Sequence, residues 1–540
     1  MGHDNSGANY DSAIATAILV LAVVYGTIVF KGGFVASSHE NDGHSNSDHA
    51  AVVASSDASH SGESGNDHSA DDESTQAADS HDDTAHSDHG HAADADLPSV
   101  FAVTPFVLLL GAIAVFPLLK RVEHWWESNL HRSYVADGLA IVTLVYYLTL
   151  RGGLHDVQHV LEHAILDEFI PFIVLLFSLY TISGGIRIQG DLVARPSTNC
   201  VFLAIGALLA SFIGTTGAAM LLVRPLIDTN NERKYVQHTV VFFIFVVCNC
   251  GGCLLPIGDP PLFLGYLEGV DFMWTMWNLW VPWLFTNAVL IAIYYGFDKL
   301  YCYPKETKLD IRRDTTQTRP LTITGLFPNA ILLVGVIIAV ALLDPNKPIR
   351  GWAPWPYLRE IVQLSLVAGS LLFGSAKVRS ENKFNYHAIL EVAALFIGIF
   401  ICMQPALEIL NSKGASLGID SPSKYFWVTG SLSSVLDNAP TYLVFYKTCD
   451  AGFTEPLHTL VNTPGPAAND LIGISLGAVF MGAMTYIGNG PNFMVRAIAE
   501  QMGVRMPGFF GYVMRYSLPF LVPVFLLATY VFLQNAAGHP

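Results

Sequence analysis

Residues 32–96 contain no lysine or arginine. Charge is scarce elsewhere too: Asp, Glu, Lys and Arg make up 14% of the chain, against 52% hydrophobic residues. So little charge beside so much apolar surface excludes an ordinary soluble domain. The net charge of −17 disfavours nucleic acid as a partner. The 7 cysteines are odd in number, scattered, and mostly inside apolar runs, so they do not form a disulfide framework. Residues 1–35 lack a positive n-region and a distinct small-residue cleavage site. The apolar stretch 13–30 is therefore expected to remain as a helix.

The segment without basic residues is filled by Ser, Ala, Asp and Glu, with His39, His44, His49, His60, His68, His81, His86, His89 and His91. It has too little apolar area to fold, and reads as a disordered loop. His beside carboxylate also suits zinc, nickel or copper, so a weak metal- or proton-buffering tether is the sharper reading. No fixed spacing defines a site there.

Long apolar runs recur along the rest of the chain, at 100–119, 172–186, 239–255, 279–296, 331–343, 361–374, 389–409, 472–487 and 516–533. A helix needs about 20 such residues to span a bilayer. The fold class this predicts is an all-α polytopic membrane protein with the lipid bilayer as its partner. A multi-pass protein of a bacterial-type inner (plasma) membrane is expected, with a homodimer as a possible assembly.

Two of the runs are broken in the same way. "GCLLPIGDPPLFL" (252–264) and "GAMTYIGNGPNFM" (482–494) both fit G-x4-I-G-x-x-P-x-F, with Asp259 opposite Asn489. Upstream of each lies a polar tip between apolar flanks: "SFIGTTGAAM" (211–220) and "SVLDNAPTYL" (434–443). Gly/Pro-interrupted segments in corresponding positions of two halves point to a transporter binding site. Unwound backbone is tolerated at that depth only where it is buried or lines a cavity.

Loop charge fixes the layout. If the segment around Thr215 is a re-entrant hairpin, Lys120, Arg121, Arg132, Arg187, Arg195, Arg224, Arg233, Lys234, Lys305, Lys308, Arg312, Arg313 and Arg319 share one side, the cytoplasm. If it spans once, the most basic loop, 305–319, lands outside. The hairpin reading then puts Lys377, Arg379, Lys383, Arg496, Arg505 and Arg515 inside, and inverts the second half. Lys31, Arg151, Arg350, Arg359, Lys413 and Lys424 fall outside as scattered exceptions. The expected organisation is an N-terminal helix (1–31), the His/Asp-rich extracytoplasmic loop (32–97), a first repeat (98–300), a basic linker (301–320) and a second, inverted repeat (321–540). Each repeat has three helices, a hairpin, a broken helix and a last helix.

"SGGIRIQGD" (183–191), "IGTTGAAMLLVRPLI" (213–227), "IGDPPLFLGYLEGVDFMW" (257–274) and "SSVLDNAPTYLVFY" (433–446) resemble the ion transporter superfamily. That group includes NhaD-type sodium/proton antiporters, arsenite permeases, citrate transporters and dicarboxylate/sodium symporters. The nearest resemblance is to the citrate-transporter (CitMHS-like) or NhaD-like branch, over residues 100–533. It implies two inverted repeats whose hairpin tips and broken helices meet at mid-membrane. Dicarboxylate members carry Ser-Asn-Thr at both tips. Here the tips read Gly214-Thr215-Thr216 and Asp437-Asn438-Ala439-Pro440-Thr441.

On this layout the four interruptions supply the carboxylates of Asp437 and Asp259, the amides of Asn438, Asn489 and Asn492, and the hydroxyls of Thr215, Thr216, Thr441 and Ser434. Sodium takes oxygen ligands of this kind. A carboxyl at bilayer depth can also hold a proton, because desolvation disfavours its charged form. Competition between the two ions gives antiport, with Asp437 as the preferred shared carboxylate and Asp259 second. The blander alternatives are helix caps for both aspartates and local backbone partners for the threonines. Glu168 and Glu391 read as openings of corresponding helices: gate or proton-path residues, or first-turn dipole partners. His155, His159, Glu162 and His163 share one helix face at a spacing that can bind zinc, against a plain interfacial helix. Cys248, Cys250 and Cys253 read as small packed hydrophobes. No cofactor is expected; transported Na+ and H+ are. Three functions follow: cation/proton antiport, citrate or carboxylate transport coupled to sodium or protons, and a remote intramembrane metalloenzyme.

Overall fold

The computed structural model describes residues 97–534, apart from 120, 127, 152, 317, 346 and 348–351. The expected N-terminal helix and nearly all of the His/Asp-rich loop lie outside the described residues. From Leu97 onward the chain forms a single unit. Within it, 8 helices are long and apolar enough to cross a membrane, and two shorter apolar helices accompany them.

The first half runs α1 (Val100–Leu118), α2 (Asn129–Leu150), α3 (Leu154–Ser183), a hairpin of α4 (Pro196–Ile213) and α5 (Thr215–Thr229), α6 (Gln237–Cys253), α7 (Pro260–Leu267) and α8 (Trp274–Lys305). A polar helix, α9 (Lys308–Thr316), follows. The second half repeats the order: α10 (Leu326–Leu342), α11 (Leu358–Phe373), α12 (His387–Leu417), a second pair α13 (Pro422–Ser433) and α14 (Asn438–Asp450), α15 (Pro466–Met484), α16 (Gly490–Gln501) and α17 (Phe509–Phe532). Three helices, a hairpin, a broken helix and a last helix thus occur twice, in the order read from the sequence. The expected boundary at 300 falls inside α8, which continues to Lys305.

The α4–α5 pair leaves where it entered. Asn199 and Asn230 donate to each other's side-chain oxygens at 2.9 and 2.8 Å. The Leu192 N–H donates to Thr229 Oγ1 beside them. Gly214 makes the turn at φ +78°, where a side chain would be strained. In the α13–α14 pair Tyr425, near its start, likewise lies beside Cys449, near its end.

α15 is the most enclosed span, with 89% of its apolar window buried, whereas α2 has 22% and α8 and α17 have 28% each. α2 and α8 present exposed Leu130, Ile141, Val145, Trp277 and Leu284 outward. In a bilayer that surface faces lipid, which is as apolar as the side chains.

Two ion pairs tie α2 to α12: Arg132 to Glu391 at 2.8 Å and Arg151 to Glu408 at 3.1 Å. Low-numbered end meets low-numbered end, so these helices run parallel. Two small strands, β1 (Arg187–Asp191) and β2 (Arg319–Thr324), pair antiparallel with Arg187 opposite Thr324. This ribbon joins the loop after α3 to the connection between the halves.

α3 departs from expectation. The run read as starting near Glu168 is the second part of a longer helix, and residues 155–163 are its first part, not a separate interfacial helix. The join, Glu162–Phe169, is π-helical. Pro171 follows it and cannot donate to the carbonyl four residues back; the wider register absorbs that missing bond. Glu168 therefore sits midway along a helix, 5% exposed. It is not a first-turn dipole partner.

Candidate functional site

The two helix breaks are folded back on themselves. After Cys253 the chain is irregular through 254–259, and Pro260 and Pro261 occupy the first two positions of α7. An amide hydrogen there has no helical partner to lose, so the prolines start the new half-helix. A Cβ on Gly258 would lie 2.2 Å from the Gly252 carbonyl oxygen. In the second break a Cβ on Gly488 would lie 2.7 Å from the Gly482 carbonyl oxygen. The paired glycines of the repeated motif are thus a backbone-on-backbone contact that no other residue permits.

Asp259 stands at the N-cap of α7, but its side chain does not cap the helix. Its Oδ1 accepts from Thr215 Oγ1 at 2.9 Å and from Asn489 Nδ2 at 3.1 Å. Its Oδ2 accepts from Asn438 Nδ2 at 2.6 Å. Thr215 is the first residue of α5, Asn438 the first of α14, and Asn489 the N-cap of α16. Both hairpin tips and both breaks therefore meet at one carboxylate. Four helix N-termini, each carrying partial positive charge, point to the same place. Asp259, Thr215, Asn438 and Asn489 are all at most 2% exposed. Three neutral donors hold Asp259, the carboxylate of Asp437 lies near it, and no basic side chain among the described residues forms an ion pair with it. Beside it, Asn438 Oδ1 is buried and has no hydrogen-bond partner.

A second ring of bonds holds this centre. Asn492 donates to the carbonyls of Gly482 and Thr485, both at 2.9 Å, and accepts from Asn249 at 2.7 Å. Asn249 also accepts from Asn489 at 3.3 Å. Thr485 Oγ1 donates to the Ser434 carbonyl and accepts the amides of Ile487 and Gly488. Ser211 and Ser433, at the ends of α4 and α13, bond to the carbonyls of Gly251 and Ala478. Asn249, Thr485, Ser211 and Ser433 were not among the expected residues. An asparagine inside the apolar run 239–255 was the available signal for Asn249.

Other expected residues are placed differently. Asp437 is half-buried and caps α14, accepting from the Ala439 N–H at 3.1 Å. Thr441 donates to the Asp437 carbonyl and Ser434 to the Ser431 carbonyl, which are local bonds. Thr216 is half-buried and takes no part in the bonds around Asp259. Glu391 is held by Arg132. Among the described residues, the one set of at least three metal-capable side chains whose ligating atoms converge is His238, Asp298 and Cys302, not His155, His159 and His163. Arg233 already binds both oxygens of Asp298, so a guanidinium occupies the place of a cation there.

A protein-family model described as "Putative citrate transport" matches residues 95–533. The chain belongs to this family. The match spans both halves and all four interruptions. Members of the citrate-transport family are transporters, so this chain is a multi-pass membrane transporter and not an enzyme. No curated protein matches the chain.

Proposed function

We propose that this member of the citrate-transport family is a secondary active transporter in which Asp259 holds sodium and a proton in alternation: a sodium/proton antiporter. One observation carries the reading. A fully buried carboxylate is met by neutral donors only, beside the orphaned oxygen of Asn438. A buried charge without a partner is costly, and either a bound cation or a proton relieves it. Two ions competing for one carboxylate exchange for each other. Asn438 Oδ1, Asp259 and nearby open carbonyls supply the hard oxygen ligands sodium takes. Asp437, already engaged as a cap, is the weaker candidate. The two halves are inverted in the membrane, and the basic segment around α9 lies in the cytoplasm.

A second reading is citrate or carboxylate transport coupled to sodium or protons. The family description favours it, and four converging helix N-termini suit an anionic group.

Purified protein in proteoliposomes separates the two when sodium-driven proton flux is measured beside labelled citrate uptake. Antiport predicts proton movement driven by sodium alone. It also predicts loss of that movement in Asp259→Asn, which keeps shape and removes the charge. Citrate accumulation without sodium-driven proton flux overturns antiport in favour of the second reading.

A further inference from the structure

Glu168 is a buried carboxyl that the site does not explain. It is 5% exposed and midway along a membrane-spanning helix. Its Oε2 accepts from Gln404 Nε2 of α12 at 3.3 Å, while Oε1 has no hydrogen-bond partner. His163 Nδ1 lies 3.7 Å from Oε1 and likewise has no hydrogen-bond partner. The His163 side chain is 38% exposed, against 6% for Glu168.

The π-helical join produces this pair. In an α-helix, residues five apart point about 140° away from each other. The i→i+5 register of a π-helix stacks them. His163 and Glu168 are five apart and both lie within Glu162–Phe169. The turn thus places a half-buried imidazole over a buried carboxyl. Such turns recur at functional sites, and ionisable groups inside a membrane are rarely idle. The charged neighbours are Asp167 and His159 on the same helix, with Glu268 and Lys447 across from it. Glu268 ends α7, the half-helix that Asp259 begins, and pairs with Lys447 of α14.

We propose that Glu168 is a second proton-binding residue of the transport cycle and that His163 exchanges protons between it and water. In the transfer, the Nδ1–H bond of the imidazolium breaks and an O–H bond forms at Glu168 Oε1. Both groups become neutral, and water returns the proton to His163. This rests on the reading of the chain as a proton-coupled transporter, but not on which solute is moved.

The test uses full-length protein in proteoliposomes, with proton flux driven by sodium and by citrate, and self-exchange of each labelled solute, which needs no net proton movement. Glu168→Gln is expected to lower proton flux at least about tenfold while self-exchange stays near the wild-type rate. His163→Gln is expected to slow proton flux and flatten its pH profile. Wild-type proton flux in Glu168→Gln overturns the proposal. So does loss of self-exchange as well, which makes Glu168 a structural residue. Wild-type flux driven by citrate but not sodium sinks antiport and still tests Glu168; a wild type that moves no protons sinks both.

Discussion

Three donors hold Asp259, and each comes from a different interruption, so their removal is expected to act on ion binding more than on folding. Thr215→Val deletes one donor and keeps the volume. A hydrogen bond to a charged group contributes about 1.5–3 kcal/mol. Sodium affinity, read from the concentration dependence of transport, is expected to fall at least about tenfold. Asn249→Leu should behave differently. It leaves Asn492 Oδ1 and one bond of Asn489 unmet in a buried place. Its expected signature is a lower melting temperature, from a loss of about 1–3 kcal/mol. If Asn249→Leu melts like the wild type and only transport suffers, the asparagine touches the solute and does not merely brace the site.

The breaks are set by glycine contacts as much as by proline. Gly258 faces the Gly252 carbonyl oxygen at 2.2 Å from an added Cβ, whereas an added Cβ on Gly490 has no atom within 4 Å. Gly258→Ala must push backbone from backbone and is expected to cost about 1–3 kcal/mol or more. Gly490→Ala, in the first turn of α16, is expected to leave the melting temperature unchanged or raise it, since Ala is the better helix former. Equal thermal shifts for the two would show that the close approach is not what holds the break. The repeated motif made both breaks legible in the sequence, because glycine and proline leave a local mark. The π-helical join in α3 left no such mark. Pro171 alone does not say whether a helix ends, kinks or widens, and a polar stretch before it reads equally well as an interfacial helix.

Orientation belongs to the whole molecule. Among the described residues, three of the four cations expected outside are held in ion pairs: Arg151 by Glu408, Arg359 by Glu360 and Lys424 by Asp420. The proposed inversion makes α2 and α12 cross in the same direction, and the Arg132–Glu391 and Arg151–Glu408 pairs require them to be parallel. Single cysteines at Lys308 and at Pro456 should therefore label from opposite sides of the membrane. Labelling of both from one side would refute the inversion. The native thiols are buried or, for Cys200, half-buried, so background labelling should be low.

Apolar runs, a doubled G-x4-I-G-x-x-P-x-F motif and polar tips are local features, and by themselves they determined a polytopic helical protein built from two like halves with paired interruptions. Loop charge, also local, determined the hairpin reading over a single span. Which carboxylate lies at the crossing was decided only in three dimensions. Asp259 and Asp437 look alike in the sequence: each precedes a helix and each can cap it. Asp259 instead bonds to residues 44, 179 and 230 positions away, while Asp437 bonds two residues on. A cap is a contact within one turn, but a hub is made by the packing of four separate half-helices, and no stretch of chain short enough to read as a motif contains it.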